Sequence, residues 1–428
     1  MRKHSEPEME LEEVAGNGLL HRRIFLNRSL ALLGAGGIAG FSGPTAAGVE
    51  VRPHWMRAPG AGMSGYGSPS RFEQNVQRTA IASQPGTNGS GVSRTPLERL
   101  EGMITPNGLH FERHHSGVPE IEPDAHRLLI HGLVKRPLVF DMNAVVRYPM
   151  HSRIHFLECS GNSRANLGKS PPALSCGAIH GLVSCSEWTG VPLSILLDEV
   201  GVAPGARWLV AEGADSAAMT RSVPIEKAMD DALLAVYQNG ERLRPENGYP
   251  LRLFLPGYEG NMSVKWLRRI KLTAGPAMTK DETSKYTDLL PNGKSLQFTF
   301  PMEVKSVITT PSAGLALNGP GLYEISGLAW SGLGKIRRVE VSADGGRTWG
   351  EAALTEPVLP KALTRFRMAW RWNGGPAVLM SRARDESGTL QPSREQLVAE
   401  KGVQFLYHYN AIQAWRVAPT GEVSNVYA

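Results

Sequence analysis

Cysteine is scarce in this chain: 428 residues contain three, Cys159, Cys176 and Cys185. An odd number leaves at least one thiol unpaired within the chain, and the spacings fit neither a zinc ribbon nor a disulfide scaffold. No Cys-x-x-Cys-His occurs, so no c-type haem is expected to be covalently attached to this chain. Long hydrophobic runs are also missing. The most apolar stretch, Ser29 to Gly48, is interrupted by glycine and proline and is too polar to span a bilayer, so no membrane span is expected. Nor is there a Lys/Arg run with interleaved aromatics, and a net charge of +6 spread over such a length does not imply nucleic acid. A mild basic excess suits a small anionic substrate or an acidic protein partner.

What is present begins with an amino-terminal leader. His21-Arg22-Arg23-Ile24-Phe25-Leu26 precedes the weakly apolar segment, which closes on small residues, Thr45-Ala46-Ala47-Gly48. Paired arginines, Phe-Leu and a mediocre apolar stretch resemble a twin-arginine export signal over residues 1–47. That route carries folded proteins, commonly with a cofactor already inserted, so a periplasmic location and a bound cofactor are expected. Residues 48–95 are rich in Gly, Ser and Pro and read as an N-terminal arm or linker.

Organised sequence starts near Pro96, and two domains fit a chain of this length. Residues 96–300 mix short strands and helices. Met150 to Glu158 reads as a strand, Leu193 to Val200 as a helix, and Ile225 to Tyr237 as a helix opening at Pro224. Residues 301–428 read as short period-two strands with few helices, a β-sandwich. Ser342-Ala343-Asp344-Gly345-Gly346 is a hairpin turn signal there, and Arg365 to Trp372 alternates. That alternation places Trp370 and Trp372 inward, with Arg367 and Arg371 on an exposed face suited to docking a partner.

The chemistry concentrates at His155-Phe-Leu-Glu-Cys159-Ser-Gly-Asn-Ser-Arg164. A strand ends at a cysteine and a turn of small residues follows, leaving room for something bulky; Gly161 and Asn162 permit positive φ angles. A thiolate is a soft donor, suited to a soft or high-valent transition metal rather than calcium or magnesium. Arg113, in Phe111-Glu-Arg-His-His115, is a permanent cation suited to an oxyanion or a cofactor phosphate. Four further stretches complete the set: Cys185-Ser-Glu-Trp-Thr-Gly-Val-Pro192, Pro256-Gly-Tyr-Glu-Gly-Asn-Met-Ser-Val-Lys265-Trp266, Ser284-Lys-Tyr286-Thr-Asp288, and Val339 to Trp349.

In this order and spacing they resemble the sulfite oxidase family of molybdenum enzymes, from about Pro96 to the carboxyl end. The resemblance implies an α+β fold: a mixed α/β molybdopterin-binding domain of sulfite oxidase type followed by an immunoglobulin-like β-sandwich that dimerises. It implies a mononuclear molybdenum-molybdopterin centre with Cys159 as the protein's metal ligand. Arg113 and His115 match the pair lining the cofactor and anion pocket, Tyr286 the active-site tyrosine, and Lys265 a position near the pterin phosphate. Cys176 and Cys185 match no ligand position, His114 reads as solvent-facing or as a neighbour of the pair, and Arg416 lies near a family arginine that reaches the pocket. Asn261-Met262 and Ser163-Arg164 stand where sulfite oxidases carry Ala-Arg and Arg-Arg, so two cations are missing from loops near the cofactor.

Those departures look most like the molybdenum subunit of the sulfane dehydrogenases of thiosulfate oxidation. The expectation is therefore a periplasmic oxidase of sulfane sulfur on a carrier protein, passing electrons to a c-type cytochrome subunit, as a homodimer or a heterotetramer with the cytochrome. A soluble sulfite dehydrogenase using cytochrome c is the close alternative, and a non-catalytic exported binding protein the distant one.

Overall fold

The computed structural model describes residues 12–21, 56, 58–59, 61–81 and 89–427. Arg22, Arg23 and the weakly apolar segment after them lie outside the described residues.

Two five-stranded sheets form the body of the first domain. In one, Trp208–Gly213 pairs antiparallel with Thr220–Pro224 and with Leu267–Thr273, which runs parallel to Arg127–Gly132; Leu138–Asp141 closes the edge. In the other, His151–Glu158 pairs with Val183–Pro192, and that strand with Leu233–Gln238. The Leu193–Val200 helix buries Leu193, Leu196, Leu197 and Val200 between these sheets, the i, i+3, i+4, i+7 spacing of one helical face. The expected helix over Ile225 to Tyr237 is corrected. Ile225–Asp230 is helical, but Leu233–Gln238 is a strand, hydrogen-bonded on both sides and almost wholly buried. A strand covered on both faces is apolar at every position, so its period of two disappears and the run passes for one side of a helix.

The second domain is a sandwich. One sheet runs Thr364–Trp372, Gly321–Trp330, Lys305–Thr310; the other runs Ile336–Ser342, Ala377–Asp385, Ala414–Val417, Val423–Val426. Trp330, Trp370, Trp372 and Trp415 fill the space between them, each at most 2% exposed. The Asp-Gly turn does sit between two paired strands, Ile336–Ser342 and Gly350–Glu351. The cores of the two domains are continuous: Leu97, Phe156, Cys176, Val183 and Cys185 pack with Val307, Trp330 and Trp415. Cys176 and Cys185 are wholly buried there, 0% exposed, with burial pushing both thiols up.

The strand carrying Arg367 and Arg371 departs from simple alternation. The outer face of its first half is covered by the segment entering the first domain, where Arg365 donates to the carbonyls of Leu100 and Gly102. Arg367 is half-buried and paired with both Glu324 and Glu101, so its charge is neutralised and only Arg371 stands exposed. A joint cationic docking face is therefore absent. Arg416 is exposed on a sandwich strand and does not line the cavity described below. Part of the expected arm is also folded. Gly91–Arg94 pairs with Thr79–Ile81 on one side and Glu112–His114 on the other.

Candidate active site

Cys159 sits where the His151–Glu158 strand stops, and its amide donates to Leu182 O at 2.9 Å. The turn that follows is locked by Asn162, whose side chain donates to Glu158 (2.9 Å) and His180 O (2.8 Å) and accepts from the Leu182 and Ser163 amides. The left-handed residue is Ser163, φ 67°, rather than Gly161 or Asn162. A Cβ added at Gly161 would meet nothing within 4 Å, so the space beside the thiol is open. At Gly260 it would come within 2.8 Å of Glu158 O, because the Gly260–Met262 turn packs directly on the cysteine turn.

Arg113, His115, Cys159, Lys265 and Tyr286, singled out from sequence, all line one cavity of about 690 Å3, mouth included. Arg113 is exposed at this wall on the Glu112–His114 strand, opposite Val92, with its guanidinium donating to His114 O. His114 is not solvent-facing but a buried neighbour lining the same cavity: its Nδ1 meets Lys265 Nζ at 2.7 Å and its Nε2 meets Glu112 at 2.8 Å. Lys265 also donates to Arg113 O (3.3 Å) and Glu246 O (3.1 Å). Desolvation, then the nearby Arg252, pushes the Lys265 ammonium well down.

His115 Nε2 stands 3.2 Å from the Tyr286 hydroxyl. Burial, reinforced by Arg113, lowers the imidazole to about 4, so it is neutral near pH 7 and can exchange a hydrogen bond with the phenol. Tyr286 has φ 54°, a left-handed conformation that a bulky residue adopts only where its surroundings over-determine it. They do so here. The Arg221 guanidinium lies 4.6 Å from the centroid of its ring, Tyr407 packs beside it, and Arg221 is fixed by Glu282 (3.0 Å) and Glu259 (3.3 Å). Burial pushes the phenol well up, which keeps it protonated as a donor. Burial alone would raise Glu259, yet Arg221 and hydrogen bonds from His408 and Asn261 bring it down to about 2.

Sequence reasoning missed Arg252, Asn247 and the Glu158–Lys305 pair. Arg252 is 4% exposed in the cavity wall; its side chain donates to Asn247 O (3.0 Å) and Ser263 O (3.2 Å), and desolvation lowers it to about 9. Its signal was available: a lone arginine inside the apolar run Pro250-Leu-Arg252-Leu-Phe254. Behind the cysteine, Glu158 accepts from Trp330 Nε1 (2.6 Å), Asn162 and Lys305 Nζ (3.3 Å), and Lys305 also donates to Ser163 Oγ (2.6 Å).

Two residues lining this cavity each carry a buried polar atom without a partner, Asn247 Nδ2 and Asn261 Oδ1. Among the described residues no group of three His, Cys, Asp or Glu side chains converges as a metal cage, which leaves Cys159 as a single soft donor. One thiol, three cationic side chains and orphaned amide atoms fit an anionic organic cofactor that brings most of a metal's ligands with it.

The comparisons agree with that chemistry. A family model for an oxidoreductase molybdopterin binding domain matches residues 115–280, and one for a Mo-co oxidoreductase dimerisation domain matches residues 297–414. Sulfite oxidase of Gallus gallus is 31% identical over 327 residues, covering 69% of this chain and 70% of that protein. The chain belongs to the sulfite oxidase family of molybdopterin oxidoreductases. Within that family, the NADH nitrate reductase of Cichorium intybus is 35% identical over 316 residues, and the match spans 65% of this chain but only 34% of that longer enzyme. The crystal structure of the sulfane dehydrogenase SoxCD from Paracoccus pantotrophus matches with a TM-score of 0.85 and 45% identity, covering 89% of this chain and 98% of that one. Among the described residues no helix is long and apolar enough to cross a membrane.

The buried imidazoles carry a pH prediction. His110 is held down to about 3 and His155 to about 4, in each case mainly by desolvation, against a usual 6.5. The folded pKa values lie below the unfolded ones, so the unfolded chain takes up protons first. Their stabilisation is complete above about pH 6.5 and is lost as the pH falls toward 4. The urea midpoint of cofactor-free protein should be lower at pH 5 than at pH 7, with the wholly buried His110 alone contributing roughly 2 kcal/mol of the loss. Equal midpoints at the two pH values would contradict it.

Proposed function

We propose that this molybdenum oxidoreductase oxidises sulfane sulfur carried on a partner protein in periplasmic thiosulfate oxidation and passes the electrons to a c-type cytochrome subunit. The observation that carries the reading is the fate of two positions at the site. Ser163 is 2% exposed and turned inward onto His180 Nδ1 (2.7 Å) and Lys305, and Met262 is 0% exposed among the core side chains of the first domain. Neither offers a cation to the cavity, where the resemblance places arginines in sulfite oxidases. A free dianion is then attracted less strongly, and a sulfur presented on a carrier is admitted. The similarity to a sulfane dehydrogenase along nearly its whole chain supports the same choice.

In this reading Cys159 holds the metal, and Arg113, Arg252 and Lys265 hold the anionic part of the molybdopterin. When bound, the molybdenum centre supplies two-electron oxygen-atom transfer to sulfur with water as the oxygen source. The chain's own groups do the positioning. Tyr286, kept protonated and backed by Arg221, donates a hydrogen bond toward developing negative charge, while neutral His115 holds its hydroxyl and can relay a proton. Arg113 adds the permanent charge at the wall. Burial pushes the Cys159 thiol up, so it gives up its proton only when a metal cation arrives. The dimerisation domain fits a homodimer, joined by the cytochrome as a heterotetramer.

Metal analysis with a substrate panel tests this. Stoichiometric molybdenum and faster turnover of a sulfane-loaded carrier than of free sulfite are expected. Turnover of sulfite alone with cytochrome c would move the chain to the sulfite dehydrogenase alternative. Export has its own test, motivated by Arg22-Arg23 before the weakly apolar segment. Replacing both arginines by lysine should leave cofactor-loaded protein in the cytoplasm, and normal periplasmic accumulation would refute the twin-arginine route.

A further inference from the structure

The ten residues just ahead of Arg22 are folded into the carboxyl-terminal domain. Glu13–Ala15 and Leu19–Leu20 form a hairpin, and Leu19 and Leu20 are both 0% exposed. Leu19 joins the sandwich core, and Val14 and Ala15 pack against it. The turn between them has left-handed Asn17 (φ 62°) and Gly18 (φ 86°), the turn geometry that tight hairpins require.

The contact is specific along the backbone. The Trp370 indole donates to Asn17 O and the Arg371 amide to Gly18 O, each at 2.8 Å. Asn17 Nδ2 donates to Ala343 O (2.8 Å), and the Gly16 amide to Thr348 Oγ1 (2.7 Å). A Cβ at Gly18 would stand 2.0 Å from Arg371 O, so only glycine fits there. The hairpin continues an edge that is otherwise half covered. Ala353–Leu354 pairs with Phe366 and Arg367 of the Thr364–Trp372 strand, and Leu19 takes up the same edge at Trp370. Edge pairing of this kind takes its affinity from main-chain bonds and its specificity from alternate side chains.

The seat has two halves. Trp370 and Arg371 belong to one sheet, while Ala343 and Thr348 lie in the loop leaving the other. It therefore exists only after the two sheets have packed. A segment read as part of a removable leader is thus fitted to the finished fold of the domain that remains.

We propose that the Thr364–Trp372 edge is a receptor for the chain's own Glu12–Leu20 segment, and that this docking holds the export leader on the folded sandwich until the export machinery displaces it. The export half of this rests on the twin-arginine reading above. The bond that closes the hairpin, His21 N–H to Glu12 O at 3.1 Å, stands directly before Arg22 in the sequence. A receptor that must surround the arginine pair meets the docked hairpin first, so docking slows capture of the leader.

The test uses the uncleaved full-length protein, cofactor-loaded, beside Leu19→Asp/Leu20→Asp and, separately, Gly18→Val. Trypsin cleavage after Arg22 and Arg23, and amide exchange at Arg371, should both accelerate about tenfold or more in the two variants, with molybdenum content unchanged. Their export half-times should shorten. Unchanged cleavage and exchange would overturn the docking. Faster cleavage with unchanged export would overturn the holding role. Free export of the Arg22→Lys/Arg23→Lys chain would remove the twin-arginine premise while leaving the docking result standing, so the two failures are separable.

Discussion

Cys159→Ser should give a folded protein, at wild-type melting temperature without cofactor, that has lost its oxidase activity. The side chain contributes little to packing: it is only partly buried and faces a cavity with open space beside the following glycine. The chemical change is large. A hydroxyl is a harder and weaker donor than a thiolate, and it does not ionise near neutral pH to meet a soft metal. Loss of an outer partner of a metal ligand costs about 10–100-fold, and loss of the ligand atom should exceed that. Turnover per molybdenum and the metal's visible spectrum are the measurements, and wild-type turnover would remove Cys159 from the ligand position. Cys176→Ser and Cys185→Ser should keep activity. Each buries a hydroxyl in an apolar core, so both should lose stability instead.

The second large effect concerns a residue with no place in the cavity. Lys305→Met should destabilise the protein by about 3–5 kcal/mol, because it leaves the Glu158 carboxylate charged and unpaired in the interior. Glu158 and Lys305 are each 1% exposed. Burial pushes Lys305 down, and its attraction to Glu158 opposes that shift. Lys305→Met/Glu158→Gln should recover most of the loss, since a neutral amide can still bond Asn162 and Trp330. Thermal melts of the three proteins check this, and a single variant no less stable than the double would contradict it. The pair also bridges the domains, joining the first strand of the sandwich to the residue before Cys159. Activity per molybdenum in Lys305→Met should therefore fall even at temperatures where the chain stays folded.

How much was legible depended on how local each signal was. The strand ending at Cys159, the helix at Leu193–Val200 and the sandwich strands announced themselves through periodicity and turn residues. Motif order led to Arg113, His115, Lys265 and Tyr286, and these line a single cavity although 173 positions separate Arg113 from Tyr286. The strand Leu233–Gln238 was hidden because complete burial erases alternation. His114 read as solvent-facing or as a neighbour of the pair because the residues beside it in sequence are polar, but its environment is set by Lys265 and Trp266 packed against it. Arg367 read as free because Glu101 and Glu324 lie far away along the chain.

By itself, the sequence determined the two-domain order, the soft donor thiol at the end of its strand, the cations suited to an anionic group and the leader-like amino terminus. Each is a local pattern, written in neighbouring residues by steric and solvation preferences that act over a few positions. Tertiary structure alone decided which charges are paired, which imidazoles stay neutral, how Tyr286 is braced by Arg221, and that Leu19 and Leu20 belong to the sandwich core. Those outcomes depend on desolvation and on contacts between residues up to several hundred positions apart, and no local pattern records them.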